Sequence, residues 1–325
     1  MKVTVLDDYQ HAFEEVSPAF ERLRQKATVE IHTEKFASEE ALISALKGSQ
    51  AIIPIRERTK FPRPLLQALP DLEIIAQTGN HAYHIDVDAA TEAGILVAMA
   101  PGGPGVTELT IGLMIAVMRR IPQSDRAMRQ GKWPLVLGRV LRDKTLGILG
   151  LGKVGAEVAR LGRAFGMRVI AWGPTLTEER ASKAGVTYMS LEEVLKSADV
   201  VSVHLKLSDQ SKELLNETRL RLMKKSAYLV NTARGAIVDE KALVKLLQEN
   251  GIAGAALDVF SEEPLPPDHP LLRLENVVLT PHLGWPTDAG FEGFAEHAAE
   301  NILDYMDGKL TRVVNPAALE RRKRK

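Results

Sequence analysis

Short apolar runs alternate along the chain with longer stretches that have helical periodicity. The first series predicts five strands: Lys2 to Leu6, Val29 to His32, Ala51 to Ile55, Glu73 to Ala76 and Ile95 to Val97. A second series predicts six: Thr145 to Leu149, Val169 to Trp172, Val200 to His204, Tyr228 to Asn231, Gly254 to Val259 and Val277 to Thr280. Strands that alternate with helices form parallel sheets covered on both faces, so we expect an α/β fold with two doubly wound parallel sheets.

Helical patterns separate these strands. They cover Ser38 to Lys47, where Ser38 is a candidate cap, and in the second series Lys153 to Phe165, Leu191 to Ser197 and Asp239 to Asn250. The stretch from about Val106 to Gln130 reads as helix without a strand, and we expect it to carry the chain between two units. The chain is helical again from Pro286 to about Asp307, which predicts a return to the first unit. The predicted domains are 1–100 with 287–325, for substrate, and 101–286, for a dinucleotide.

Composition narrows the class of protein. Hydrophobic residues are 45% of the chain and charged residues 26%, as in soluble globular proteins. Acidic and basic residues balance at 42 each, so nothing predicts binding to nucleic acid or to an anionic membrane. We interpret the basic run Arg321 to Lys325 as a solvated end, with a nucleic-acid or targeting patch as the alternative. The absence of cysteine excludes disulfides, thiolate catalysis and cysteine-bound metals, and no metal site is predicted.

The beginning of the chain bears on location. It turns acidic at Asp7 and Asp8 before a signal-peptide apolar run develops, and no apolar stretch approaches the roughly 18 residues of a membrane helix. We therefore expect a cytoplasmic protein.

The glycine pattern Gly150-x-Gly152-x-x-Gly155 follows a predicted strand and opens a predicted helix. Glycines there let backbone N–H groups approach a pyrophosphate, and the helix N-terminus supplies partial positive charge. In this setting the pattern predicts a site for NAD or NADP.

The carboxylate that would bind the adenosine ribose at the end of the second strand is missing, because Trp172 leads into Gly173 and Pro174. Without that anion a 2′-phosphate is not repelled, and Thr175, Thr177 or Arg180 are candidate partners for it. We therefore hypothesise that NADP is tolerated or preferred. The alternative is that Gly173 only shapes a turn and NAD binds through other contacts.

Three polar residues follow the ends of three predicted strands: Arg234, Glu263 and His282. Ligands bind at the carboxyl ends of strands in open α/β sheets, so these side chains are expected to converge. Reduction of a 2-keto acid needs a carboxylate clamp, which suits the planar guanidinium of Arg234. It also needs a proton donor, which suits His282, and Glu263 would orient the imidazole and stabilise its cation. Taken singly, each of the three could instead be an ordinary turn or loop residue without a catalytic role.

Four runs of sequence resemble the D-isomer-specific 2-hydroxyacid dehydrogenases. They are Gly147–Gly155 (GILGLGKVG), Leu229–Gly235 (LVNTARG), Ala256–Pro264 (ALDVFSEEP) and Thr280–Gly284 (TPHLG). The resemblance implies a Rossmann cofactor domain inserted in a flavodoxin-like substrate domain, a cleft between them, and usually a homodimer. It makes Arg234, Glu263 and His282 the catalytic trio acting on a small-molecule 2-keto or 2-hydroxy acid.

The same resemblance implies further contacts. Asp258 matches the residue that holds the nicotinamide amide, and His204 and Ser208 lie in the loop that covers the cofactor, although Lys206-Leu207-Ser208 departs from the family's proline-containing pattern. The other implied cofactor positions are Lys153, Val154, Thr232, Ala233 and Gly284, beside Gly150, Gly152, Gly155, Trp172, Gly173, Arg234 and His282. The implied substrate positions are Arg56, Thr78, Gly79, Asn80 and Trp285, beside Arg234 and His282.

The turn Thr78-Gly79-Asn80-His81 is bulkier and more polar than the family's glycine-rich, aspartate-bearing turn, so substrate preference is expected to differ. Trp285 either shapes the substrate pocket or is a buried wedge.

Two alternative functions stay open from the sequence. The first is a dinucleotide-sensing, corepressor-like interaction protein, against which the balanced charge and the lack of a partner-binding appendage argue. The second is a short-form phosphoglycerate dehydrogenase, since the chain ends at Lys325 without a regulatory domain. That enzyme needs a cationic pocket for a phosphate, and the sequence shows no concentrated one, although Arg56 and His81 could contribute to it.

Overall fold

The chain, seen in a computed structural model that describes residues 1–13, 17–103, 105–310 and 313–322, divides into two compact units. One unit comprises Met1–Pro104 and Trp285–Lys325, and the other comprises Gly105–Gly284. Both predicted crossings between substrate and cofactor domains, and the functions assigned to these domains, stay predictions. Part of the basic run, residues 323–325, lies outside the described residues, so its interpretation also stays a prediction.

The first unit is built on a five-stranded sheet in the order β2-β1-β3-β4-β5, in which each pairing between neighbours is parallel. The strands are β1 (Lys2–Leu6), β2 (Thr28–Ile31), β3 (Ala51–Pro54), β4 (Ile74–Thr78) and β5 (Leu96–Ala100). The last two strands extend further than predicted, because Gln77 and Thr78 are buried and paired with β5 despite their polar side chains. Thr78 Oγ1 donates to the Pro54 carbonyl at 2.9 Å, and Gln77 Nε2 donates to the Thr78 carbonyl at 2.6 Å, which offsets the cost of burial.

Helices, numbered along the whole chain, cover this sheet. They are α1 (Pro18–Lys26), α2 (Glu39–Leu46), α3 (Arg63–Gln67), α4 (Val87–Ala93), α12 (Asp288–Met306) and α13 (Ala317–Arg322). The long helix α12 begins at its cap Thr287 and packs on β4, β5 and α1 of this unit. Its Phe291 and Phe294 join Phe13 and Phe20 in the core between helix and sheet. The predicted cap Ser38 accepts a hydrogen bond from Ala41 N at 3.2 Å.

The second unit is built on a seven-stranded sheet in the order β12-β11-β10-β9-β6-β7-β8, again with parallel pairings throughout. The strands are β6 (Thr145–Leu149), β7 (Arg168–Trp172), β8 (Thr187–Tyr188), β9 (Val200–Val203), β10 (Tyr228–Asn231), β11 (Gly254–Leu257) and β12 (Val277–Leu279). The edge strand β8 was not predicted, because two residues are too few to produce an alternating pattern. Two parallel-sheet α/β units confirm the predicted fold class.

Seven helices of the described residues belong to this unit. They are α5 (Val106–Arg119), α6 (Ile121–Arg129), α7 (Lys153–Ala164), α8 (Glu178–Lys183), α9 (Leu191–Ser197), α10 (Glu217–Leu220) and α11 (Glu240–Gln248). Apolar side chains of α5, including Met114 and Val117, form one core with Val158 of α7 and Val230 of β10.

The predicted helix from Val106 to Gln130 is broken at Arg120, whose φ of 55° is left-handed. Pro122 has no N–H to continue α5, which explains the break. The Met118 carbonyl accepts instead from Arg139 N at 2.9 Å. Both α5 and α6 fall within the second unit, which begins at Gly105.

No helix among those described is both long enough and apolar enough to cross a membrane.

Candidate active site

The glycine turn between β6 and α7 requires two of its three glycines for steric reasons. Gly150 has a φ of 100°, and a Cβ there would lie 2.7 Å from the His204 carbonyl oxygen. A Cβ on Gly155 would lie 2.0 Å from the Gly150 carbonyl oxygen. A larger residue at Gly155 would push α7 away from the sheet, and one at Gly150 would clash with the chain after β9.

The middle glycine differs, because a Cβ on Gly152 would meet no protein atom within 4 Å. Gly152 is also the N-cap of α7, and no side chain caps the first turn of this 12-residue helix. Open space therefore lies against unsatisfied N–H groups and the positive end of the helix dipole, which is the environment that a pyrophosphate needs. The turn fits a dinucleotide, and its predicted neighbours Lys153 and Val154 form the first residues of α7.

The turn after β7 lies against this glycine turn. A Cβ on Gly173 would lie 3.8 Å from Gly150 Cα, so this position borders the predicted ribose site. The predicted partners of a 2′-phosphate are partly used within the turn: Thr177 Oγ1 caps α8 by accepting from Arg180 N, and Arg180 Nη1 donates to the Thr175 carbonyl at 2.8 Å. Trp172, at the end of β7, packs against the core beside it.

The predicted cover of the cofactor follows β9. His204 N donates to the Leu149 carbonyl at 2.8 Å, and His204 Nε2 lies 2.8 Å from Ser202 Oγ. Burial lowers the pKa of His204 to about 4, so the imidazole is neutral at pH 7. Ser208 is exposed, and its backbone N–H donates to Ser211 Oγ at 2.8 Å.

The turn after β10 positions Arg234. The buried Asn231 closes it from both sides: Nδ2 donates to the Arg234 carbonyl at 3.0 Å, and Oδ1 accepts from Ala233 N at 3.0 Å. A Cβ on Gly235 would lie 2.0 Å from the Phe260 carbonyl carbon, so the backbone of the turn packs directly on the chain after β11. The guanidinium of Arg234 is only half-buried, and one of its nitrogens donates to the Ala233 carbonyl at 2.7 Å.

The predicted cofactor residue Thr232, two residues before Arg234 in the same turn, is buried. Its hydroxyl lies 2.8 Å from that of Thr110 on α5, which anchors the turn to the helix.

Asp258 holds the loop that carries His282. Its Oδ1 accepts from Thr280 Oγ1 at 2.5 Å and from Leu283 N at 2.7 Å, and its Oδ2 accepts from Gly284 N at 3.0 Å. Burial raises the pKa of Asp258 despite these hydrogen bonds. These three hydrogen bonds join the Asp258 carboxylate to the loop. Asp258 therefore has a structural role that the sequence did not indicate.

His282 has a φ of 55°, and its backbone N–H donates to the Asp258 carbonyl at 2.9 Å. This conformation brings the ring Nδ1 to 2.7 Å from Glu263 Oε2. The other carboxylate oxygen of Glu263 accepts from Phe260 N at 3.0 Å, which fixes the carboxylate. With Nδ1 held by Glu263, Nε2 is the nitrogen left for proton exchange.

Charges reinforce this pair. Burial by itself would raise the pKa of Glu263, but the hydrogen bonds from His282 and Phe260 N and the charges of His282 and Arg234 together lower it. Glu263 is therefore ionised at neutral pH, and its carboxylate orients the imidazole through Nδ1. The structure thus places a guanidinium, a carboxylate and an imidazole in the second unit, with the last two in contact.

The predicted substrate residues of the first unit lie at the carboxyl ends of β3 and β4. Arg56 N donates to Thr78 Oγ1 at 2.7 Å, and the Arg56 guanidinium lies over Gly79, where a Cβ would be 2.2 Å from Nη1. Asn80 follows on the exposed side of the turn. Trp285 is half-buried, with its ring centroid 5.6 Å from Arg56 Cζ and packed on Phe291.

Three residues near these sites were not predicted: Asn231, Thr280 and Glu57. Asn231 ends β10 directly before Thr232, and Thr280 follows the end of β12 two residues before His282. A polar residue at such a strand end is the signal that could have identified them. Glu57 contacts both Arg56 and His81, and its position beside Arg56 in the chain was its only signal. The described residues contain no cluster of three or more His, Asp or Glu side chains able to hold a metal.

Comparisons with known proteins bear on the family of this chain. The family model for the NAD binding domain of D-isomer specific 2-hydroxyacid dehydrogenases matches residues 111–284. A glyoxylate reductase of Aeropyrum pernix is 43% identical over 83% of this chain and 84% of its own length. A D-3-phosphoglycerate dehydrogenase of Archaeoglobus fulgidus is 38% identical over 91% of this chain, which spans only 57% of that relative.

Among solved structures, a putative D-3-phosphoglycerate dehydrogenase from Ralstonia solanacearum superposes with a TM-score of 0.87 at 38% identity, covering 98% of each chain. The predicted family is thereby confirmed. This chain belongs to the D-isomer specific 2-hydroxyacid dehydrogenases, oxidoreductases that transfer a hydride between a nicotinamide dinucleotide and a small 2-hydroxy acid.

Proposed function

We propose that this protein reduces glyoxylate, hydroxypyruvate and similar short 2-keto acids to the matching 2-hydroxy acids. The observation that carries the proposal is the 2.7 Å contact between His282 Nδ1 and Glu263 Oε2, in the unit that also carries the Arg234 turn. The likeness to a glyoxylate reductase supports the choice of substrates.

Arg234 would bind the substrate carboxylate. One nitrogen of its guanidinium is used by the Ala233 carbonyl, and the planar group has further donors for a two-point contact with a carboxylate. The same positive charge polarises the adjacent keto group, which helps a hydride to add to its carbon.

His282 would donate the proton that the reduced oxygen needs, from Nε2. Glu263 holds the opposite nitrogen and orients the ring for that transfer. Thr280 and Asp258 act through the loop, since their hydrogen bond fixes the backbone that presents the ring. The glycine turn at Gly150, Gly152 and Gly155 would hold the pyrophosphate of the reduced dinucleotide, whose nicotinamide would supply the hydride.

For the cofactor, we propose that NADP is accepted at least as well as NAD. No carboxylate stands at Gly173, and the backbone there borders Gly150. Arg180 is exposed beside this turn, so its guanidinium can exchange the Thr175 carbonyl for a phosphate.

We propose further that the protein is a cytoplasmic homodimer. Support for self-association comes from a segment of the second unit between α6 and β6, where Trp133, Leu135, Leu137 and Val140 are 79%, 93%, 95% and 63% exposed. Contiguous apolar exposure of this kind marks association surfaces.

The two alternative functions are not favoured. The relatives reported above are named as a reductase and as dehydrogenases, which does not support a corepressor-like protein. The phosphoglycerate dehydrogenase of Archaeoglobus fulgidus is 38% identical to this chain, against 43% for the glyoxylate reductase of Aeropyrum pernix.

The test is an assay of purified protein with glyoxylate, hydroxypyruvate, pyruvate and 3-phosphohydroxypyruvate, each with NADH and with NADPH. We expect oxidation of reduced nicotinamide with the first two substrates, and a kcat/KM with NADPH no lower than with NADH. No turnover of any 2-keto acid would contradict the function, and a strong preference for NADH would contradict the cofactor proposal alone.

A further inference from the structure

Glu57 is the centre of a charged cluster at the predicted substrate turn of the first unit. Its carboxylate lies 3.1 Å from Arg56 Nη2, and the same oxygen contacts His81 Nε2. His81 in turn stacks face to face on Tyr83 with ring centroids 3.7 Å apart. One carboxylate thus engages both residues that a cationic pocket would use.

Hydrogen bonds of the Gln77 side chain hold the backbone that carries the cluster. Gln77 Nε2 donates to the Arg56 carbonyl at 3.2 Å, and Gln77 Oε1 lies 2.9 Å from His84 Nε2. These bonds tie the residues after β3 to those after β4. The Arg56 side chain is only 11% exposed, so it cannot easily swing away from Glu57.

The charge on Glu57 is permanent at physiological pH. Burial would raise the pKa of Glu57, but the hydrogen bond from His81 and the charges of Arg56 and His81 lower it to about 2. The carboxylate therefore offsets the positive charge of Arg56 throughout the working range.

We infer that Glu57 determines specificity by excluding 2-keto acids that carry a second anionic group. The inference rests on the proposed function, since it assumes that this turn faces the substrate. A phosphate or a second carboxylate approaching Arg56 would meet the anion already paired with it. Placing a second anion beside the Glu57 carboxylate costs more free energy than placing an uncharged group there. A substrate with an uncharged end is therefore preferred.

Arg58 does not supply a second positive charge in place of that of Arg56, which Glu57 offsets. Its Nη1 donates to the Asp7 carbonyl at 2.5 Å and to Gln10 Oε1 at 2.9 Å. Its guanidinium also lies 4.6 Å from the Tyr9 ring centroid and 5.1 Å from that of Trp285. These contacts hold Arg58 between two aromatic rings.

The experiment compares kcat/KM for glyoxylate with that for 3-phosphohydroxypyruvate and for oxaloacetate, in the wild type and in Glu57→Gln. The amide keeps the shape of the carboxylate and removes its charge. We expect kcat/KM for the two substrates with an added anionic group to rise at least about 10-fold, and that for glyoxylate to change less than about 3-fold.

Two controls accompany it. Glu57→Asp keeps the charge and should keep the wild-type preference. Glu92→Gln removes a carboxylate that pairs with Arg63 elsewhere in the same unit, and should leave the ratio unchanged. Thermal unfolding of each variant checks that the fold is intact.

The outcomes separate the two proposals. A Glu57→Gln variant that is folded, reduces glyoxylate and keeps the wild-type ratio of kcat/KM values overturns the role of Glu57. A wild type that already prefers 3-phosphohydroxypyruvate overturns it as well. A wild type that reduces no 2-keto acid overturns the proposed function itself.

Discussion

At the scale of single residues, the backbone does much of the positioning of the candidate catalytic groups. His282 adopts a left-handed φ of 55°, which residues with a Cβ rarely take, and Asp258 accepts hydrogen bonds from the residues around it. The conformation costs free energy that the buried Asp258 contacts offset. The imidazole therefore meets Glu263 without further rearrangement.

Replacing His282 tests the proton donor. We expect His282→Ala to lower kcat for glyoxylate at least about 100-fold while the Kd for NADPH changes little, because only proton transfer is removed. Steady-state assays of NADPH oxidation measure kcat, and fluorescence titration with NADPH measures the Kd. His269→Ala is the matched control, since His269 also lies beside a glutamate of the second unit, 3.5 Å from Glu240. Near-normal turnover in His282→Ala would exclude the assignment.

Glu57 should make stability depend on pH. Its pKa is lowered from 4.5 to about 2, so its stabilising contribution is complete above pH 4.5 and is lost as the pH falls towards 2. We expect Glu57→Gln to lower Tm at pH 7 and to approach the wild-type Tm as the pH falls below 4.5. Circular dichroism between pH 3 and 7 measures this, with the exposed Glu34→Gln as control. A difference in Tm that is the same at every pH would contradict the ion-pair origin.

At the scale of elements, the turn from β6 into α7 separates the demands of folding from those of binding. Gly155 is needed for contact between helix and sheet, whereas Gly152 faces open space. Two glycines of one motif thus serve different purposes, although they look alike in the sequence.

Alanine at each position distinguishes these purposes. Gly152→Ala should leave Tm nearly unchanged and weaken NADPH binding about 10-fold or more, since its methyl group would occupy the space against the helix N-terminus. Gly155→Ala should, in contrast to Gly152→Ala, lower Tm, because its methyl group would overlap the Gly150 carbonyl. Calorimetric titration and thermal unfolding measure the two effects. Unchanged cofactor affinity in Gly152→Ala would place the pyrophosphate elsewhere.

At the scale of the whole molecule, each unit has its own sheet and its own core, and the chain leaves the first unit before Gly105 and returns to it at Trp285. The second unit carries the glycine turn and the three candidate catalytic groups, and the first carries the Arg56 and Glu57 cluster. The exposed apolar segment from Trp133 to Val140 also belongs to the second unit.

Charges placed in that segment test the homodimer. We expect the double variant Leu135→Asp, Leu137→Asp to elute as a monomer where the wild type elutes as a dimer, because buried unpaired carboxylates oppose association. Light scattering coupled to size exclusion gives the mass directly. Leu272→Asp, at a leucine that is 50% exposed elsewhere in the second unit, is the control and should remain dimeric. An unchanged mass in the double variant would rule out this surface.

The sequence by itself determined the features that depend on local order along the chain. Strand and helix alternation predicted both parallel sheets, and the motifs around Gly150, Arg234 and His282 predicted the family, because local backbone requirements and side-chain chemistry are written in consecutive residues. Tertiary structure alone decided the contacts of Asp258, Asn231 and Glu57 with the loops they hold. It also decided that Gln77 and Thr78 are strand residues. Such roles arise from hydrogen bonds and charges between segments that folding brings together, and no periodicity in the sequence records them.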